Sequence, residues 1–265
     1  MRAVQGGLVV ALLVGSLCAR ARAQPRELVF DPAEDGAASG ALASGFLIAQ
    51  FGTPAPAECY ACEIPPLDLL LARTVGSEQY PEVYARISDV GVLSMLIASV
   101  AASPLATGEL DLFAEDLTIL SEAVFAMGIL NTAVKRLSAR PRPAVKLRVP
   151  GVDIDPEERY VSFFSGHASL AATLAGSVTA LAYLRGYGYR HVALGVGIAL
   201  SLTVGVLRMA AQRHWFTDVL TGWIVGAALG VFIPLVLHPR EDGTEPAEVD
   251  GAASPLRIPQ LTFVF

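Results

Sequence analysis

The stretch RMAAQRHWFTDVLTGWIVGAALGVFIPLVLH, residues 208–238, decides how the rest of the chain is read. Its second part, Val219 to Leu237, is 19 residues with no Asp, Glu, Lys or Arg. At 1.5 Å per residue a helix of that length reaches about 28 Å, close to the thickness of a bilayer core. A helix apolar on every side belongs in lipid or deep inside a large protein, and a chain of 265 residues is not large. The first part has another character. Five residues separate Arg208 from His214, and three separate His214 from Asp218. As an i, i+4 pair on a helix, His214 and Asp218 share one face. A carboxylate on one ring nitrogen holds the tautomer and makes the other nitrogen more basic, which readies a histidine as a nucleophile. The plain alternative is an ion pair at a helix start.

Four more segments share the apolar character: Val90 to Ala102, Leu117 to Val134 (interrupted by Glu122 and Asn131), Gly166 to Leu184 and His191 to Leu207. A weaker run, Ala37 to Phe51, is rich in Gly and Ala and only 15 residues long. That is short of the roughly 20 a spanning helix needs, so it reads as a packed or interfacial helix. The expected fold is all-α, a membrane-embedded bundle of about six helices with an active site at one end. Composition agrees: the chain is 53% hydrophobic and 17% charged, with a mean hydropathy of +0.52. A formal net charge of −6 argues against a nucleic-acid partner, which needs a basic surface.

The ends carry different signals. Arg2, the apolar Leu8 to Leu17 and Ala21-Arg22-Ala23 form the pattern of an export signal over residues 1–23. Residues 24–66 are then an exported N-terminal segment containing Cys59-Tyr60-Ala61-Cys62. In an oxidising compartment that pair reads as a local disulfide, with free or redox-active thiols as the alternative. Residues 67–238 form the helical domain, and 239–265 an acidic, flexible tail whose last five residues, Leu261 to Phe265, alternate like a strand.

Two further clusters lie at the ends of apolar segments. Lys135 is followed after six residues by Arg142-Pro143, within a basic run that also holds Arg136, Arg140, Lys146 and Arg148. A lysine is a mobile point charge, whereas an arginine fork can clasp two phosphate oxygens; a basic helix anchor is the plain alternative. Ser165-Gly166-His167 opens the next segment. Serine caps a first turn whose free N–H groups attract anions, glycine lets backbone approach a ligand, and histidine can carry a proton near neutral pH. Followed as successive spans, the segments bring all three clusters to one end of the bundle.

These residues resemble the type 2 phosphatidic acid phosphatases, which share a fold with vanadium haloperoxidases and bacterial class A acid phosphatases. The family pattern Lys-x6-Arg-Pro, Pro-Ser-Gly-His and Ser-Arg-x5-His-x3-Asp is matched from Lys135 to Asp218, with Phe164 in place of the proline and Leu207 in place of the serine. The resemblance implies that His214 attacks phosphorus with Asp218 orienting it, and that His167 protonates the leaving oxygen. It implies that Lys135, Arg142, Ser165, Gly166 and Arg208 bind the phosphate. It implies no cofactor and no metal, and a phospholipid or polyprenyl phosphate as substrate; no protein partner is inferable. A soluble exported acid phosphatase, a vanadium haloperoxidase and a non-catalytic lipid-phosphate binder are the other readings. With the signal cleaved and five spans, the catalytic end faces the periplasm from the inner membrane and the tail lies inside.

Overall fold

The structure, a computed structural model, describes residues 25–77 and 79–241. The expected signal segment and all of the acidic tail beyond Glu241 lie outside the described residues.

Each apolar segment is a helix, longer than its apolar part. Helix α1 (Pro32–Gly52) is opened by Asp31, whose carboxylate accepts the N–H groups of Ala33 and Glu34 at 2.8 and 3.0 Å. Then follow α2 (Pro66–Thr74), α3 (Pro81–Thr107), α4 (Leu110–Ser138), the single-turn α5 (Pro143–Leu147), α6 (Gly166–Arg185), α7 (Arg190–Ala210) and α8 (Phe216–Phe232). Among the described residues, five helical stretches are long and apolar enough to cross a membrane: Pro81–Thr107, Leu110–Leu147, Gly166–Arg185, Arg190–Ala210 and Phe216–Leu237. Their outer faces carry Val90, Ile97, Ile198 and Ile224, each more than half exposed. Apolar surface on that scale belongs against lipid. This is a membrane protein.

Two boundaries differ from the sequence reading. Helix α3 does not stop with its apolar run at Ala102 but continues through Pro104 to a Gly108 cap with φ of 75°. A proline costs a helix one hydrogen bond, a loss tolerated in a last turn whose Pro104 carbonyl is taken up by the Gly108 N–H at 2.9 Å. The last apolar run changes to a π-helical turn at Ile233–Leu237, around Pro234, which has no N–H to donate.

The bundle is assembled around α6. Helices α6 and α8 approach so closely that a Cβ on Gly226 would lie 2.2 Å from the Ser169 carbonyl oxygen, and one on Gly230 2.4 Å from that of Thr173. Small residues permit this approach, and in lipid, where water drives no association, contact packing is a main source of helix pairing. The Thr173 hydroxyl donates to the Gly226 carbonyl across the same seam, at 3.1 Å. On the other side of α6, Val92, Met95, Leu120, Ala171, Leu174 and Val204 form an apolar cluster joining α3, α4, α6 and α7.

Helix α1 departs most from expectation. It is 21 residues long, about 31 Å, and lies parallel to α4 along the bundle. Ser39 meets Ser121 at 2.6 Å, Phe46 packs over Gly128, and Gln50 bonds Thr132 and Arg136 at 3.1 and 2.9 Å. The segment before it pairs with the segment after α8 and with the end of α6: Val29 N–H donates to the Pro239 carbonyl at 2.8 Å, and Arg26 N–H to that of Arg185 at 3.1 Å. Residues 26–30 therefore sit at the end of the bundle remote from Lys135, His167 and His214. A cleaved exported signal and an exported catalytic end, both expected above, are compatible only if the bundle does not span, because α1 carries the chain from one end to the other.

At that remote end, Glu122 of α4 is buried against His238, whose Nε2 lies 2.8 Å from Glu122 Oε2 and Nδ1 3.2 Å from the Val29 carbonyl. Burial opposes a charge on His238, but the hydrogen bond and charge of Glu122, with Val29 and Asp35, raise its pKa above the ordinary value. The stability from this pair is fully present below about pH 6.5 and is lost as pH rises through the raised value. Thermal unfolding in detergent should therefore show a higher melting temperature at pH 6 than at pH 9. Glu122→Gln should lower the melting temperature and flatten that difference.

Candidate active site

The three sequence clusters meet at one end of the bundle. Lys135 lies in the last turn of α4 and Arg142 caps α5. Ser165 caps α6, its Oγ accepting the Ala168 N–H at 3.4 Å, and Gly166 and His167 form the first turn. Arg208 ends α7, and His214 and Asp218 flank the start of α8. A Cβ on Gly166 would stand 3.3 Å from Lys135 Nζ and 3.1 Å from Asn131 Oδ1. Only glycine leaves that approach open.

The cations are held by oxygen atoms around them. Arg142 donates from Nε to the Glu158 carbonyl at 2.7 Å and from Nη1 to the Arg213 carbonyl at 3.2 Å, and its Nη2 lies 3.2 Å from Glu158 Oε2. Arg208 Nη1 donates to Ser88 Oγ at 3.2 Å and to Asp89 Oδ1 at 3.1 Å, while its buried Nε has no hydrogen-bond partner among the described residues. Beside them a cavity of about 810 Å³ is lined by Gln50, Thr53, Lys135, Arg136, Arg142 and Glu158. A second, of about 330 Å³, runs between α1 and α6 along Phe46, Val92, Phe125, Leu170 and His167.

His214 is buried, 2% exposed, and precedes the Trp215 cap of α8 rather than lying on the helix. Its Nδ1 lies 2.8 Å from the Ser162 carbonyl oxygen, which can only accept, so Nδ1 carries the proton and Nε2 the free lone pair. Burial, followed by the charges of Arg142, Arg208 and Lys135, holds its pKa well below the ordinary imidazole value. The ring is neutral at neutral pH, as a nitrogen nucleophile must be.

Asp218 does not do what its spacing suggested. Its Oδ2 is 3.7 Å from His214 Nδ1 and is engaged instead by Ser162 Oγ at 2.5 Å and the Trp215 N–H at 2.9 Å. Its Oδ1 accepts from Arg140. Because Asp218 stands at the third position of α8, it closes the helix cap, and the Ser162 carbonyl takes the ring proton. Asp218 orients His214 at one remove, by fixing Ser162.

Arg140, Asp68, Ser162 and Asp89 were missed by sequence reasoning. Arg140 joins two carboxylates with no exposure: Asp218, and Asp68 of α2 at 2.6 Å. Asp68 also accepts from the Thr217 N–H and hydroxyl at 2.9 and 2.6 Å. A lone acid in the apolar run Pro66 to Ala72 was the available signal that Asp68 is buried against a partner. Cys59 and Cys62 are joined by a disulfide, on a loop tied to the same end through Lys146 Nζ and the Cys62 carbonyl at 3.1 Å.

Residues 116–242 match the PAP2 superfamily. The matched segment is a little under half of the chain, and it is what the chain has in common with that superfamily. An uncharacterized 22.5 kDa protein in the cps region of Klebsiella pneumoniae is 31% identical over 121 residues, 44% of this chain and 57% of that one. The chain thus spans a little over half the length of this curated relative. The crystal structure of the first transmembrane PAP2-type phosphatidylglycerolphosphate phosphatase from Bacillus subtilis is similar, with 20% identity and a TM-score of 0.49, over 74% of this chain and 93% of that chain. The matched segment contains all three clusters, whereas Asp68 and Asp89 precede it.

Removing Arg140 would leave two buried carboxylates unpaired, and breaking a buried pair costs about 3–5 kcal/mol. Arg140→Gln should therefore destabilise the protein by about that amount in thermal unfolding, and lower activity through loss of the Ser162 carbonyl position.

Proposed function

We propose that this protein is a phosphatase of the PAP2 superfamily that hydrolyses phosphate monoesters or diphosphates of lipids through a phosphohistidine intermediate, without a metal ion. The observation that carries it is the neutral, buried His214, with Nδ1 tied to a carbonyl and Nε2 free, at an end of the bundle where Lys135, Arg142 and Arg208 supply the charge a phosphate needs. In the first step the Nε2 lone pair attacks phosphorus and the bond to the leaving oxygen breaks, that oxygen taking a proton from His167. In the second, water attacks the phosphohistidine while His167 accepts the water proton, releasing phosphate and restoring His214. Lys135, the two guanidinium groups and the first-turn N–H groups of α6 hold the non-bridging oxygens, and phosphoryl transfer depends mainly on such positioning and charge. The apolar cavity along Phe46, Val92, Phe125 and Leu170, reaching His167, supports a lipid rather than a water-soluble ester.

We further propose that the catalytic end faces the periplasm. The disulfide at that end supports an oxidising compartment. Residues 26–30 and the tail then lie on the cytoplasmic side, and the N-terminal apolar segment does not act as a cleaved export signal.

Phosphate release from phosphatidate, phosphatidylglycerol phosphate and polyprenyl diphosphate tests the activity. Turnover should persist in EDTA and be inhibited by vanadate. His214→Ala should abolish turnover with an intact helical spectrum, and His167→Ala should reduce it by about 10²–10⁴-fold. A wild type that loses activity on chelation and regains it with magnesium would overturn the mechanism.

Orientation is read separately. In intact spheroplasts an impermeant maleimide should label a Val152→Cys protein, while cysteine at Glu27 and a tag after Phe265 stay protected. The opposite pattern would place the catalytic end in the cytosol.

A further inference from the structure

Among the carboxylates at this end that the three motifs do not account for, Asp89 is the one in contact with His167. Asp89 lies in the third turn of α3, ahead of the matched segment, and its Oδ1 contacts both groups to which the reading above gives acid–base and phosphate-binding roles: His167 Nε2 at 2.8 Å and Arg208 Nη1 at 3.1 Å. Its neighbour Ser88, buried, gives a second oxygen to the same Arg208 nitrogen at 3.2 Å. The start of α3 thus fixes two groups from α6 and α7 with respect to each other.

We propose that Asp89 is a positioning residue for the reaction, holding His167 by Nε2 so that Nδ1 is the nitrogen that exchanges a proton with the substrate oxygen. The inference rests on the phosphatase reading above. An imidazole has two nitrogens, and the one not held is the one that reacts. A carboxylate on Nε2 accepts its proton, fixes the ring orientation and stabilises the imidazolium formed when Nδ1 is protonated.

The electrostatic need is specific to this pocket. Around His167 stand Lys135 from α4, Arg142 at the start of α5, Arg208 from α7, and the neutral His214 ahead of α8. The other acid of this group, Glu158, is engaged with Arg142. A general acid surrounded by cations has to keep its proton until the leaving oxygen takes it, and an opposite charge in contact is what favours the charged form. Asp89 is the carboxylate within hydrogen-bond reach. Its 55% side-chain exposure makes substitution tolerable to the fold, so a loss of activity can be read as a loss of positioning.

The alternative is that Asp89 occupies the phosphate site and competes with substrate for Arg208. The two roles give opposite results. If Asp89 positions His167, Asp89→Asn should lower kcat by about 10–100-fold with little change in KM. It should also move the basic limb of the pH–rate profile to lower pH by about one unit or more, and Asp89→Glu should recover part of the rate. If Asp89 competes with substrate, Asp89→Asn should lower KM and tighten vanadate inhibition, which would overturn the proposal. So would an unchanged kcat and pH profile. Ring NMR of labelled histidine, comparing wild type with Asp89→Asn, reads the pairing without turnover. A His167 titration that falls to lower pH in the variant supports the contact, and an unmoved titration refutes it. Should the wild type hydrolyse no phosphate ester while that titration moves, the phosphatase reading fails and the Asp89–His167 pairing stands.

Discussion

Arg140 lies between two carboxylates that have no contact with water, Asp68 and Asp218, with the rings of Phe163 and Trp215 each 5.8 Å from its guanidinium carbon. Much of the geometry at the end of the bundle where the three clusters meet depends on this buried cation. Through Asp68 it ties α2 to the first turn of α8. Through Asp218 it settles the Trp215 cap and the Ser162 hydroxyl. Ser162 in turn presents the carbonyl that orders His214. A buried ion pair is seldom a large net source of stability, since two desolvation costs oppose the attraction. Its value here is in specifying geometry: loops that would otherwise be free are joined at a set distance from one another.

The same end has to solve a problem of charge. Lys135, Arg142 and Arg208 repel one another, and water screens the buried Arg142 and Arg208 little. Oxygen atoms do so instead: the Glu158 and Arg213 carbonyls and the Glu158 carboxylate at Arg142, Ser88 and Asp89 at Arg208. Each of these lies in a different element from the arginine it serves, so the cage forms only when the helices have assembled. The close α6–α8 contact, made possible by Gly226 and Gly230, sets the first turns of these two helices together, and the turn of α6 that carries Gly166 and His167 therefore starts beside His214.

Much of the helical architecture was legible because lipid imposes a simple requirement on sequence. Charge-free runs of about 20 residues must be helices that satisfy their own backbone. Polar interruptions in such runs were legible as anomalies without their explanation. Glu122 and Asn131 broke the apolar pattern of α4, and the structure gives each a partner, His238 and the Phe164 carbonyl at 2.8 Å. Helix α1 was underestimated because its Gly- and Ala-rich sequence has little hydropathy, while its contacts with α4 use small side chains and hydroxyls.

By itself the sequence determined the helices, the three clusters and their arrival at a common end. Local spacing sets where a side chain lies on its own helix, and the order of alternating spans sets which end it reaches. Only the tertiary structure decided which atoms meet. The spacing of His214 and Asp218 is equally compatible with direct contact and with the 3.7 Å separation found, because the difference lies in a cap and in a carbonyl from another loop. Asp68, Asp89 and Arg140 have no meaning in isolation. Their roles come from partners 72 to 149 residues away in the chain, brought within hydrogen-bond distance only when the bundle has closed.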